Sequence, residues 1–159
     1  MAESARGSEL IERALERPFT FREQPVPTPA EYRPKWRIAL IVVLIGSCYG
    51  RRASWHQLHV LNWASRSLAS QAAFERLKNG RGRPDDAVVR YDPVLDRAID
   101  LALFGKLIER RGSGDVFALS ERGLLLLNEI HRHDVLSSEK AFLQRVAPVT
   151  QTFVDSLVR

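Results

Sequence analysis

Asp92-Pro93-Val94-Leu95-Asp96-Arg97-Ala98-Ile99-Asp100-Leu101-Ala102-Leu103-Phe104-Gly105 opens the stretch, residues 92–133, that decides the fold. Asp92 can cap a helix that starts on Pro93, the residue type favoured at the first helical position. Leu95, Ala98, Ile99 and Ala102 recur at the helical period. Gly105 is expected to stop that helix in the left-handed conformation. Residues 107–111 and 116–119 read as short strands around the turn Gly112-Ser113-Gly114-Asp115. Ser120 then caps a helix carrying Leu124, Leu126, Leu127 and Ile130.

Helix, hairpin, helix is the back half of a winged helix-turn-helix. The expected fold class is mainly α: a winged helix-turn-helix with a small β-hairpin wing, an N-terminal extended arm and a long C-terminal helix. Three regions are expected. Residues 1–33 form an N-terminal helix and proline-rich arm, residues 34–135 the winged-helix domain, and residues 136–159 a C-terminal interaction helix.

Upstream of the deciding stretch, Pro34 opens a helix in which Trp36 and residues 38–45 are apolar almost all round. Such a helix is the central one of a domain. Ser54-Trp55-His56-Gln57 is a capping box for a second helix, with Leu58, Leu61 and Ala64 facing inward. A third helix covers about residues 68–77 and ends at Asn79-Gly80. Residues 87–91 are a strand candidate that would join the wing in a three-stranded sheet. Downstream, Phe142, Val146, Val149, Phe153 and Leu157 recur at helical spacing. They predict one terminal helix, kinked at Pro148, that buries its stripe in cis or against another chain. Near the start, residues 8–16 are a short amphipathic helix. The proline-rich segment after it, with Phe19 and Phe21, is either a linker packed on the surface or an arm that wraps a partner.

The net charge of +5 over 159 residues invites a nucleic-acid reading. Its distribution says more. Residues 51–84 hold seven basic residues and one acidic residue, whereas residues 85–135 hold seven basic and ten acidic. In helix-turn-helix proteins the recognition helix reads base edges from its N-terminal part. Here that part carries Asp92, Asp96 and Asp100 against one Arg97. Phosphates repel such a face, and it lacks an Arg/Asn/Gln set for bidentate base contacts. The candidate contacts to a nucleic-acid backbone are therefore Arg51, Arg52, Lys78, Arg81, Arg83, Arg110 and Arg111. Such contacts are sequence-independent and salt-sensitive.

Other chemistries find little. The pairs His56/His59 and His131/His133 lack further ligands at metal-site spacing, so no metal or cofactor is expected. His59, between apolar neighbours, reads as a packed and hydrogen-bonded histidine. Gly80-Arg81-Gly82-Arg83 has no Lys-Ser/Thr behind it and is not a phosphate-cradling loop. Cys48 is the one cysteine, has no acid–base partner, and reads as a small core residue. No catalytic residues are expected, and the chain reads as a non-enzyme. Residues 38–45 are too short to span a bilayer and the start lacks a signal-peptide pattern, so a soluble cytoplasmic protein without membrane contact is expected. Protein contact is the chemistry best supported. The candidate partner interface is Phe19, Phe21, Asp96, Asp100, Phe142, Val146, Val149, Phe153 and Leu157, with a homodimer through the C-terminal helix as one form of it.

Two stretches carry a family resemblance. Leu58-His59-Val60-Leu61-Asn62-Trp63-Ala64-Ser65-Arg66-Ser67, following the helix that begins Arg33-Pro34-Lys35-Trp36, is the more distinctive. The other is Arg90-Tyr91-Asp92-Pro93-Val94-Leu95-Asp96-Arg97-Ala98-Ile99-Asp100-Leu101-Ala102 with its hairpin. Together, over about residues 33–135, they resemble the small middle components of bacterial ABC-three-component systems, the Lamassu-like anti-phage (antiviral defence) group. The resemblance implies a non-catalytic winged-helix adaptor subunit. It would link an SMC-like or ABC-type ATPase to an effector, often a nuclease, somewhat as kleisin- or kite-type subunits serve SMC complexes. It carries over no catalytic residues, and makes His59, Asn62 and Trp63 candidates for a structural or interface signature. The competing expectation is a dimeric winged-helix DNA-binding transcription regulator.

Overall fold

The computed structural model describes residues 33–83, 86, 89–112 and 115–157. The expected N-terminal helix and proline-rich arm, with Phe19 and Phe21, lie outside the described residues. Those residues form seven α-helices and one small antiparallel sheet, a mainly α architecture. Helix α1 is Pro34–Ser47, β1 is Arg52–Ser54, α2 is Trp55–Ser65 and α3 is Leu68–Lys78. Helix α4 (Pro93–Phe104), the hairpin β2 (Ile108–Arg111) and β3 (Val116–Leu119), and α5 (Glu121–Arg132) follow. The chain continues through α6 (Ser137–Val146) and α7 (Gln151–Leu157).

Helix α1 is the axis of the core. Six consecutive residues, Leu40 to Ile45, are buried, which requires neighbours on every side. Helices α2, α4, α5 and α6 and strand β3 supply them. Each fully buried aliphatic side chain contributes about 1.5–3 kcal/mol of transfer free energy, so this helix is held by packing rather than by propensity. Ser54 caps α2 with the full reciprocal box to Gln57, and Ser120 caps α5 through the Gly123 amide. The Ser120 hydroxyl also donates to the carbonyls of Lys106 and Leu107, pinning the start of α5 to the base of the hairpin. Only glycine fits at 123, because a Cβ there would overlap the Leu107 carbonyl oxygen.

Several expectations need correction. The third strand is Arg52–Ser54; of the expected strand 87–91, residues 87 and 88 lie outside the described residues. It pairs Arg52 with Ala118, Ala53 with Phe117 and Ser54 with Val116, giving the order β1-β3-β2. Residues 89–91 are irregular, and the Tyr91 ring stacks on Trp55 with centroids 4.8 Å apart. That contact carries the backbone over the start of α2 instead of along the sheet.

The left-handed residue after α4 is Lys106 (φ 54), while Gly105 stays right-handed (φ −70). The Lys106 and Leu107 amides donate to Leu103 and Ala102, a Schellman closure set one residue later than expected.

The terminal stripe forms two helices instead of one kinked helix. Residues 147–150 break it, and Val149 forms a parallel bridge with Cys48. Nor do residues 136–159 stand apart. Phe142, Val146, Val149 and Val154 belong to the same core as α1, and Phe74 meets the rings of Phe142 and Phe153 edge-on. Among the described residues no helix is long and apolar enough to cross a membrane.

Candidate functional site

Asp92 is the hub of a polar cluster that ties α1, α2 and α4 together. Proline at 93 gives up an amide that the first turn could not use, and Asp92 satisfies the next one, accepting from the Val94 amide at 3.0 Å. Its other oxygen accepts from Arg37 of α1 at 2.7 Å and from Arg66 at the end of α2. Both Arg37 and Asp92 are buried. Burial alone would raise the Asp92 pKa. The Arg37 hydrogen bond, the Val94 amide and the charges of Arg37 and Arg66 outweigh it and hold the carboxyl below the usual range.

His59 continues the cluster. It is 1% exposed, and both ring nitrogens are engaged. Nδ1 accepts from the Asp92 amide at 3.2 Å, which leaves the proton on Nε2, 2.9 Å from the Asp96 carboxylate. The same Asp96 oxygen accepts from the Trp55 indole at 2.7 Å. Among the described residues no buried side-chain nitrogen or oxygen lacks a partner.

Two clefts flank α4. One, of about 420 Å³, is lined by Trp36, Arg37, Asn62, Arg66, Asp92 and Val94 among others. The second, of about 210 Å³, lies between α4 and the hairpin and is walled by Trp55, Asp96, Asp100, Arg110, Asp115 and Phe117. Both His59 nitrogens are bonded within the chain, to the Asp96 carboxylate and the Asp92 amide. Burial pushes the Cys48 thiol up to about 12 against a weaker opposing hydrogen bond from Ser47, so it is no nucleophile near neutral pH. No group of three His, Cys, Asp or Glu among the described residues is placed to hold a metal ion.

The cationic candidates do not converge on one surface. Arg52 and Arg111 share the outer face of the sheet with Glu109, to which Arg111 is paired. Arg110 points to the opposite face, over the Phe117 ring and 3.6 Å from Asp115. Lys78 is spent internally, donating to the carbonyls of Val146, at the end of α6, and Pro148, just beyond it, and desolvation lowers its pKa. Arg51, Arg52, Arg81 and Arg83 are exposed, and their side chains have no acidic partner among the described residues.

The interface candidates divide as well. Phe142, Val146 and Val149 are fully buried in the chain's own core and present no surface to a partner. Phe153 and Leu157 are half-buried against that core. Asp96 is half-buried and internally bonded, and Asp100 is exposed.

Arg37, Arg66 and Trp55 were not among the sequence candidates. Arg37 could have been suspected as the one charge in the body of an otherwise apolar helix. Nothing local marks Arg66. The outward face of α4 was also missed: Val94, Leu101 and Phe104 are 46%, 42% and 89% exposed. In the resemblance motif, His59 and Asn62 are buried and Trp63 packs half-buried on the core. Comparisons with protein-family models, curated proteins and solved structures found no match.

Proposed function

We propose that this chain is a non-catalytic winged-helix adaptor subunit of an SMC-like or ABC-type ATPase complex in anti-phage defence, linking the ATPase to an effector nuclease. In this reading α4 stands where a recognition helix would, and the β2–β3 hairpin is the wing. One observation carries it. The carboxylates of Asp92 and Asp96 are bound inside the chain, while the face left outward exposes Val94, Leu101 and Phe104 together with Arg97 and Asp100. A base-reading helix needs free donors at that end, and a protein-binding helix needs exposed apolar anchors. The test is co-expression with the products of the flanking genes, followed by affinity purification and size exclusion. A stable complex containing the ATPase is expected. A monodisperse free protein that binds none of those products would sink the reading.

A second reading is favoured by Arg51, Arg52, Arg81 and Arg83, exposed cations without acidic partners among the described residues. It is backbone contact with DNA, within the same complex or as a regulator. Such contact is steeply salt-dependent and indifferent to sequence. A regulator would instead prefer one duplex sequence over others by at least about a thousandfold.

A further inference from the structure

We propose that the larger cleft, beside the Asp92 cluster, binds a guanine base, stacked on Trp36 and read by Glu139 and Asn62. This site needs no partner protein and is independent of the adaptor reading. Asn62 is 3% exposed, yet its side-chain amide has no hydrogen-bond partner among the described residues. Only its backbone carbonyl is taken, by the Ser65 hydroxyl at 3.1 Å. No side-chain nitrogen or oxygen sealed from solvent lacks a partner among those residues, so the Asn62 amide keeps an opening to the cleft that it lines. An amide placed like this forgoes bonds that a ligand restores. Glu139, in the first turn of α6, lines the same cleft half-buried. It too has no hydrogen-bond or ion-pair partner among the described residues.

The unpartnered groups select the ligand. Formal charges around the cleft cancel, Arg37 and Arg66 against Asp92 and Glu139. With no net charge it favours an uncharged polar ring over a simple ion. Trp36 supplies a flat wall, half-buried on the core, and no other aromatic ring meets it among the described residues. A base of any kind stacks on such a wall. Glu139, as a carboxylate, accepts and cannot donate. Guanine offers it adjacent N–H donors on its pairing edge, where adenine presents an acceptor nitrogen. The Asn62 amide can donate to the guanine O6 or N7. Arg66 is 51% exposed and spends one nitrogen on Asp92, which leaves the rest of its fork for a ribose or phosphate oxygen. The volume of about 420 Å³ is that of a small-ligand site.

The test titrates the full chain, by calorimetry and tryptophan fluorescence, with GMP, with AMP, and with short thymidine strands carrying one central guanine or adenine. Guanine is expected to bind about tenfold or more tightly than adenine in the same setting. Tighter binding of GMP assigns the site to a free nucleotide, and tighter binding of the guanine strand assigns it to an unpaired base in a nucleic acid. Both support the site. Glu139→Gln should erase the preference while leaving the urea midpoint unchanged, because Glu139 has no partner to lose. Asn62→Ala should weaken guanine binding by about fivefold or more, and Trp36→Leu should weaken both bases alike. No binding of either guanine ligand, equal binding of adenine, or a preference that survives Glu139→Gln would each overturn the assignment.

Discussion

Asp92, Arg37 and Arg66 answer one another's charges, while the arginines along residues 49–52 and beyond the end of α3 have no acidic partner among the described residues. Arg37 is 6% exposed and shares a carboxylate with Arg66. Arg51, Arg52, Arg81 and Arg83 stand in water. The two regions use the same residue type for opposite ends. A buried arginine is bound to its acid because separating them leaves an uncompensated charge in a poor solvent. An exposed one contributes little to the fold and remains available to an outside anion.

Substitutions can break this contrast, the largest effect first. Asp92→Ala removes the carboxylate that Arg37 and Arg66 share and uncaps α4, so urea unfolding should show a loss of about 3–5 kcal/mol. A loss below about 1 kcal/mol would mean the cluster is not a structural hub. The same carboxylate predicts a pH dependence. Its folded pKa is depressed, so its contribution is complete above the unfolded value of about 3.9 and is lost as pH falls through the lower folded value. The stability gap between the natural chain and Asp92→Asn should therefore be full at pH 7 and narrow progressively as the pH falls below about 3.9.

His59→Leu leaves the Asp92 amide buried without an acceptor and should cost about 1–3 kcal/mol in the same measurement. Lys78→Met removes the cation on the carbonyls at the end of α6 and just beyond it, and should cost about 0.3–1 kcal/mol. On the other side of the contrast, alanine at Arg51, Arg52, Arg81 or Arg83 should shift stability by no more than about 0.5 kcal/mol each. Removing all four should flatten the salt dependence of duplex binding, measured by fluorescence anisotropy. Stability losses there comparable to that of Asp92→Ala would erase the distinction between the regions.

The same contrast marks what could be read from the chain alone. Helices with an apolar period and a clear cap were legible: Pro93–Phe104, Glu121–Arg132 and Trp55–Ser65 begin where Asp92, Ser120 and Ser54 cap them. The hairpin was legible from its turn residues. Strand β1 was not, because Arg52–Ser54 is three residues long and too short to show alternation. Its pairing is set by the sheet it meets. The interruption of the terminal stripe was legible in place, at Pro148, but not in kind, for a related reason. Val149 keeps helical spacing in sequence, yet tertiary contact with Cys48 holds it extended. At the candidate site, His59 announced itself as a packed histidine by its apolar neighbours. The carboxylates of α4 were visible as charges, but their partners Arg37, Trp55 and Arg66 lie 26 to 55 residues away. No local pattern encodes such a meeting. Asp92 and Asp96 were therefore read as a repelling surface when they are internal anchors, and the exposed apolar residues beside them went unnoticed.

The bond from the Gln57 side chain to the Val149 carbonyl joins residues 92 apart. It also sets a clock for synthesis. Helix α1 and the buried face of α2 emerge long before residues 149–154, which cover part of them. At about 5–20 residues per second the nascent chain holds that apolar surface open for roughly 5–20 s. Throughout that interval it is a substrate for chaperones, and a partner that bound it then would compete with α7 for the same ground.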